Sequence, residues 1–265
     1  MYTFDYHRPA TLEDAVGRIG EGDETRLLAG GQTLIATMKQ RLASPDALID
    51  LKGIAGLDRI TVEKGGITIG TLTRHAVVAT SLAVRNTIPA LADLADTIGD
   101  PQVRNRGTLG GSIANNDPAA DYPAALLGLG ATVTTNERQI AADGFFTGMF
   151  ETDLVRGEII TGVFFPTPQR AAYVKFANPA SRFALVGVFV AQTTEGVRVA
   201  VTGAGPCVYR LTEAERLLSA SFTPNALADF RVPALGLNSD IHADASYRAH
   251  LVAVIARRAV AAALG

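Results

Sequence analysis

The sequence predicts an α+β protein: two α/β subdomains that together form one domain, then a sheet overlaid by helices. Three observations carry this. Short apolar runs alternate with helical periodicity over the first 50 residues. The strand-like EIITGVFFPTP stops at Pro166 and Pro168, the strongest break in the chain. Beyond it strands come first and helices follow. The expected boundaries are 1–167, divided into about 1–53 and 54–167, and then 168–265.

The elements follow in order. Thr11 opens TLEDAVGRI with Asp14 three residues on, a weaker capping box, and Leu12, Ala15, Val16 and Ile19 share one face. TRLLAGG reads as a buried strand ending in glycines, TLIATMKQRL as a helix and DALIDL as a strand. Lys64–Gly65–Gly66 joins two strands as a hairpin. PALADLADTIG is a helix and GATVTTNERQIAAD a second hairpin. In the last hundred residues, AAYVKFANPASRFALVGVFVAQTTEGVRVAVTGAG supplies three strands, with the second turning into the third at Thr194–Glu195–Gly196. GAGPCV breaks the dinucleotide fingerprint at Pro206 and reads as a strand-ending turn. Thr212 and Glu215 suggest a capping box, PNALADF a short helix, and the alanine-rich end a long one.

Composition excludes several classes of function. With 265 residues, 48% of them apolar, the chain can bury more than one core. No apolar run approaches the roughly 18 residues of a membrane helix. MYTFDYHRPATLEDAV lacks an apolar signal core, so a cytoplasmic protein is expected. The net charge of −2 comes from scattered residues, without the basic stripe of a nucleic-acid binder. Cys207 is alone, which excludes a four-cysteine zinc or iron–sulfur site. His7, His75, His242 and His250 show no ligand spacing and read as surface or satisfied core histidines. Any redox chemistry here needs an organic cofactor. There is no P-loop, no nucleophile elbow and no acid–base pair that spacing can assemble.

Two loops remain. LLAGGQTLI (27–35) and GTLGGSIAN (107–115) share a plan of glycine pair, small polar side chain and apolar run. Glycine admits positive φ and close approach, and successive N–H groups in such turns cradle anions. Gln32, Thr33, Thr108 and Ser112 add side-chain donors. The pair of loops suits a pyrophosphate, although a glycine pair before a helix is also an ordinary tight turn.

These segments, with the surrounding LLAGGQTLIATMKQRLA and RNRGTLGGSIANNDPAADYPAALLGLGA, resemble the two flavin motifs of the medium, FAD-binding subunit of molybdenum hydroxylases. The likeness continues through VTGAGPCVYRLTEAERLL and so spans essentially the whole chain. It implies a vanillyl-alcohol-oxidase (PCMH) type FAD-binding domain. Leu27, Leu28, Ala29, Gly30, Gly31, Gln32, Thr33 and Leu34, with Thr108, Leu109, Gly110, Gly111 and Ser112, would wrap the FAD pyrophosphate. Asp121 would accept hydrogen bonds from the adenosine ribose region; read alone, it is equally a helix N-cap. Ile98 and Ile160 would be apolar flavin contacts. Lys175 would lie near the isoalloxazine, or else be a solvated strand-edge lysine. Phe183 would give an aromatic contact where the family often has tyrosine.

Gln32 stands where some members carry histidine, so noncovalent FAD is implied. Thr33 replaces serine, and Ala36 a frequent proline. The resemblance further implies a large partner with the molybdenum cofactor, a small iron–sulfur partner and a dimer of such heterotrimers. Electrons would leave to NAD, a quinone or another acceptor. A self-sufficient flavin oxidoreductase of the same fold and a scaffold without flavin are the alternatives. The second would have no need of bare glycines.

Overall fold

The computed structural model describes residues 1–19 and 24–265. The first subdomain alternates as its apolar runs require: β1 (Asp5–His7), α1 (Leu12–Ile19), β2 (Thr25–Leu28), α2 (Leu34–Lys39) and β3 (Ala47–Asp50). The strands form a parallel sheet in the order β1-β3-β2. Thr11 caps α1 as expected, its Oγ1 accepting the Asp14 N–H at 3.1 Å.

The second subdomain begins with β4 (Ile60–Glu63) and β5 (Gly66–Gly70), the expected hairpin, with Gly65 at φ +87°. A run of helices follows: α3 (His75–Thr80), α4 (Leu82–Thr87), α5 (Pro89–Asp96), α6 (Pro101–Arg104), α7 (Leu109–Asn115) and α8 (Tyr122–Leu129). The hairpin β6 (Thr132–Thr135) and β7 (Gln139–Ala141) comes next. It leads through α9 (Ala142–Phe145), β8 (Phe146–Gly148) and β9 (Glu151–Thr152) to β10 (Ile160–Pro166). β10 lies between β5 and β6 in a five-stranded antiparallel sheet, order β4-β5-β10-β6-β7.

A separate four-stranded antiparallel sheet holds β11 (Arg170–Ala177), β12 (Ala184–Thr193), β13 (Gly196–Thr202) and β14 (Tyr209–Arg210). The short β14 lies beyond the three strands read from sequence. It is followed by α10 (Thr212–Ala220), a 3-10 turn at Pro224–Leu227 and α11 (Ala245–Leu264).

The capping box expected at Thr212 does not form. Leu211 occupies the N-cap position without a side-chain cap. Glu215 turns inward instead, accepting the Val199 N–H at 2.9 Å and pairing with Arg210 at 2.7 Å. A buried edge N–H and a guanidinium outcompete the helix start for this carboxylate.

β12 is buried along nearly its whole length, which explains its unbroken apolar run. Val186, Val188 and Val190 face the core under α10 and α11, while Phe189 and Ala191 face the core of the preceding subdomain. There α8, apolar on every side, is buried along its full length and packs on β12 and β13. A Cβ on Gly128 would sit 2.6 Å from the Phe189 ring. The small residues of PAALLGLG are therefore what lets the helix lie between two cores. Among the described residues no helix is long and apolar enough to cross a membrane.

Candidate functional site

The first glycine loop leaves β2 where Leu28 enters a small core with Met38 and Leu48. Gly31 takes φ +78°, which turns the chain into α2. A Cβ on Gly30 would meet the Arg106 carbonyl oxygen at 2.3 Å, so the loop lies directly against the approach to the second one. The N–H groups of Gly30, Gly31, Gln32, Thr33 and Leu34 have no hydrogen-bond partner among the described residues. The Gln32 and Thr33 side chains are exposed, and Thr33 makes no capping bond. A run of unsatisfied donors beside a glycine turn is an anion cradle.

The second loop is built differently. Leu109 N–H donates to the Thr73 carbonyl at 3.0 Å, and Gly110 N–H to the Thr71 carbonyl at 2.8 Å. Thr108 caps α7, its Oγ1 accepting from Gly111 at 3.2 Å, while Ser112 N–H returns to the Thr108 carbonyl. Gly110 is bare because the protein needs it so: a Cβ there would fall 1.7 Å from Thr71 Oγ1. Two loops that look alike in sequence thus have unequal roles, one a donor cradle and the other a rigid wall. Gly111 faces the first loop, where an added Cβ would lie 3.5 Å from that of Ala29.

Beneath the wall lies His75. Its N–H donates to the Gly107 carbonyl at 3.0 Å and its ring packs on Tyr122 at 5.4 Å between centroids. It is not the satisfied histidine expected, because its buried Nδ1 has no partner. Burial, with the Arg104 charge adding to it, lowers its pKa from 6.5 to about 4. The unfolded imidazole gains its proton near 6.5 and the folded one near 4. His75 therefore contributes fully above pH 6.5, and that contribution is lost as pH falls toward 4, by on the order of 3 kcal/mol. Urea unfolding of wild type and His75→Gln between pH 7 and 4 checks this. The wild type should weaken more steeply, and parallel curves would refute it.

Asp121 begins α8 but caps nothing, and its carboxylate is buried. It accepts from Tyr173 Oη at 2.5 Å and from Lys175 Nζ at 3.0 and 3.2 Å. Burial raises its pKa, while Lys175 and the hydrogen bonds oppose that rise. Burial likewise raises Tyr173 well above 10, with the Asp121 charge adding to it. The carboxylate expected to face a ribose is engaged inside the protein, and Lys175 is no solvated edge lysine.

Lys175 also donates to the Thr97 carbonyl at 2.9 Å. The next two carbonyls, of Ile98 and Gly99, accept from Arg104 at 3.1 Å, and Gly99 also from Arg182 at 3.3 Å. Arg104 thereby holds the half-buried Ile98, while Lys175 and Arg182 hold its neighbours Thr97 and Gly99. Ile160 lies inside the core at the start of β10, next to a register shift. Phe183 is 48% exposed and lines an open cleft with Asp117, Pro118 and Ala119. Thr71, His75 and Tyr173 were not legible as site residues, since each acts through a backbone or carboxylate far away in sequence; Arg104 reaches carbonyls only five and six residues before it. Asn116 carried one signal: asparagine tolerates the left-handed conformation, and here it has φ +43°.

Residues 2–168 match the family described as the FAD binding domain in molybdopterin dehydrogenase. The nicotine 6-hydroxylase medium subunit of Paenarthrobacter nicotinovorans is 36% identical over 269 residues, 96% of this chain and 95% of that protein. The carbon monoxide dehydrogenase medium chain of Hydrogenophaga pseudoflava is 34% identical, covering 98% and 96%. This chain belongs to the FAD-binding medium subunits of molybdenum hydroxylases. A solved Cu,Mo-CO dehydrogenase superposes with a TM-score of 0.91 at 31% identity, covering 98% of this chain and 97% of the other. The chain is thus an oxidoreductase component with FAD as its cofactor, and the fold is that of the medium subunits. The donor cradle at Gly30–Leu34, closed on one side by the second loop, fits the group's pyrophosphate.

Proposed function

We propose that this subunit takes electrons from the iron–sulfur clusters of a small partner and passes them through noncovalent FAD to an external acceptor. A large partner with the molybdenum cofactor oxidises the organic substrate, in a cytoplasmic dimer of heterotrimers. The free N–H run at Gly30–Leu34 carries this reading. Bound FAD supplies chemistry that no side chain has, accepting electrons singly and releasing them as a pair.

The protein's own part is orientation and electrostatics. Leu27–Leu34 hold the pyrophosphate with charge-assisted hydrogen bonds, each worth about 1.5–3 kcal/mol. Thr108–Ser112 form the opposing wall. Ile98, its carbonyl held by Arg104, and Ile160 offer apolar contacts, and Phe183 an aromatic one. Lys175 places positive charge beside the ring, with Asp121 fixing its position; this replaces a direct ribose contact for Asp121.

The test is the visible spectrum of the chain purified with whatever it retains, repeated after denaturation. Released flavin together with iron–sulfur absorbance is the expected result. Flavin without iron–sulfur absorbance would favour a self-sufficient oxidoreductase, and a colourless chain that refuses added FAD would overturn the flavin assignment.

A further inference from the structure

An open cleft of about 470 Å³ lies between the loop 178–183, the β8–β9 turn and the segment before α11. Its walls carry an unusual residue. Phe150 is 56% exposed and adopts φ +58°, a conformation costly for a bulky side chain. Buried Asn116 enforces it. Its Nδ2 donates to the carbonyls of Gly148 and Glu151 at 2.8 and 2.7 Å, and its backbone carbonyl accepts the Phe150 N–H at 3.2 Å. The turn therefore presents Met149 and Phe150 to the cleft rigidly, and Phe183 lines it too.

A polar group is held ready as well. Asn178 is 7% exposed, and its Oδ1 accepts from the N–H groups of Ala180 and Ser181 at 2.9 and 3.1 Å. Its Nδ2 has no partner among the described residues, and Asn178 lines the cleft. The charge pattern opposes one class of ligand. Asp117, His242 and Asp240, the last paired with Arg248, line the surface. The guanidinium of Arg248 is buried, donating to the Leu185 and Gly203 carbonyls and to Asp240. A dinucleotide would bring two phosphates to carboxylates, with no unengaged lysine or arginine lining the cleft.

We propose that this cleft binds an uncharged, planar carbonyl acceptor of the quinone class, stacked on Phe150 and Phe183 with Asn178 Nδ2 donating to a carbonyl oxygen. This rests on the flavin reading above, in which Phe183 flanks the ring. A quinone takes up two electrons and two protons to give its hydroquinone, the amount the two-electron-reduced cofactor gives up.

The experiment is calorimetric titration of the oxidised, flavin-loaded protein, with its co-purifying partners, with menadione and separately with NADH. Menadione should bind saturably and NADH should not. Phe150→Gly suits the left-handed position, so it should keep wild-type thermal stability and flavin content yet bind menadione about tenfold more weakly, a loss of about 1.4 kcal/mol of aromatic contact. Asn178→Asp, replacing the donor with a carboxylate, should weaken it too. Saturable NADH binding without menadione binding, or Phe150→Gly binding menadione like wild type, overturns the proposal. Failure of the flavin reading shows differently, as a protein without flavin absorbance. The same titrations on that protein still decide the cleft's ligand.

Discussion

Gly110→Ala is expected to strip the chain of flavin and to cost roughly 2–3 kcal/mol of stability, the upper part of the overpacking range. A single methyl suffices because its carbon would lie 1.7 Å from Thr71 Oγ1 and 2.9 Å from the Thr71 carbonyl oxygen. Neither can retreat easily. Thr71 is buried, and its carbonyl accepts the Gly110 N–H. Relief requires the second loop to lift off β5, which opens the wall facing Gly30–Leu34. Gly17→Ala is the control, for nothing lies within 4 Å of a Cβ there. In mid-helix that change should stabilise, by up to about 1 kcal/mol. Urea unfolding and released-flavin absorbance decide it, and a Gly110→Ala protein matching Gly17→Ala in both would sink the wall's assigned role.

Lys175→Met should be costlier, about 3–5 kcal/mol, because it leaves a buried carboxylate without its cation. The Lys175 and Asp121 side chains are 7% and 5% exposed, so water cannot replace the lost charge. The variant should also free the Thr97 carbonyl and loosen the segment carrying Ile98. Asp121→Asn combined with Lys175→Met should cost much less than the sum of the single changes, since the double variant buries no unpaired charge. Denaturant midpoints of the four proteins give the coupling. A cost under about 1 kcal/mol for Lys175→Met would mean that the pair is hydrated, against its burial.

Much of the fold was legible in the sequence because its signals are local. Period-3.6 and period-2 apolar spacing located α1, the first parallel sheet, both hairpins and α11, and Thr11 capped where its spacing said it would. Thr212 failed because Glu215 had a stronger partner from another strand. At the site, the glycine pairs marked two loops that the fold brings against each other, since backbone conformation and close approach limit residue choice at single positions. Their division of labour was invisible. The sequence around Gly110 does not say that Thr71, some forty residues earlier, fills the space a side chain would take.

The same limit applies to charge. Asp121 followed by a helix looks like a cap or a ligand group, and only the packing of α8 against β12 and β13 delivers Tyr173 and Lys175 to it. The sequence by itself determined the flavin family, the alternating order of the first subdomain and the two glycine loops, all properties of short contiguous segments. The tertiary structure decided which donors stay free, which carboxylate is neutralised and which aromatic is presented at the cleft. Those outcomes depend on desolvation and on partners brought from far along the chain.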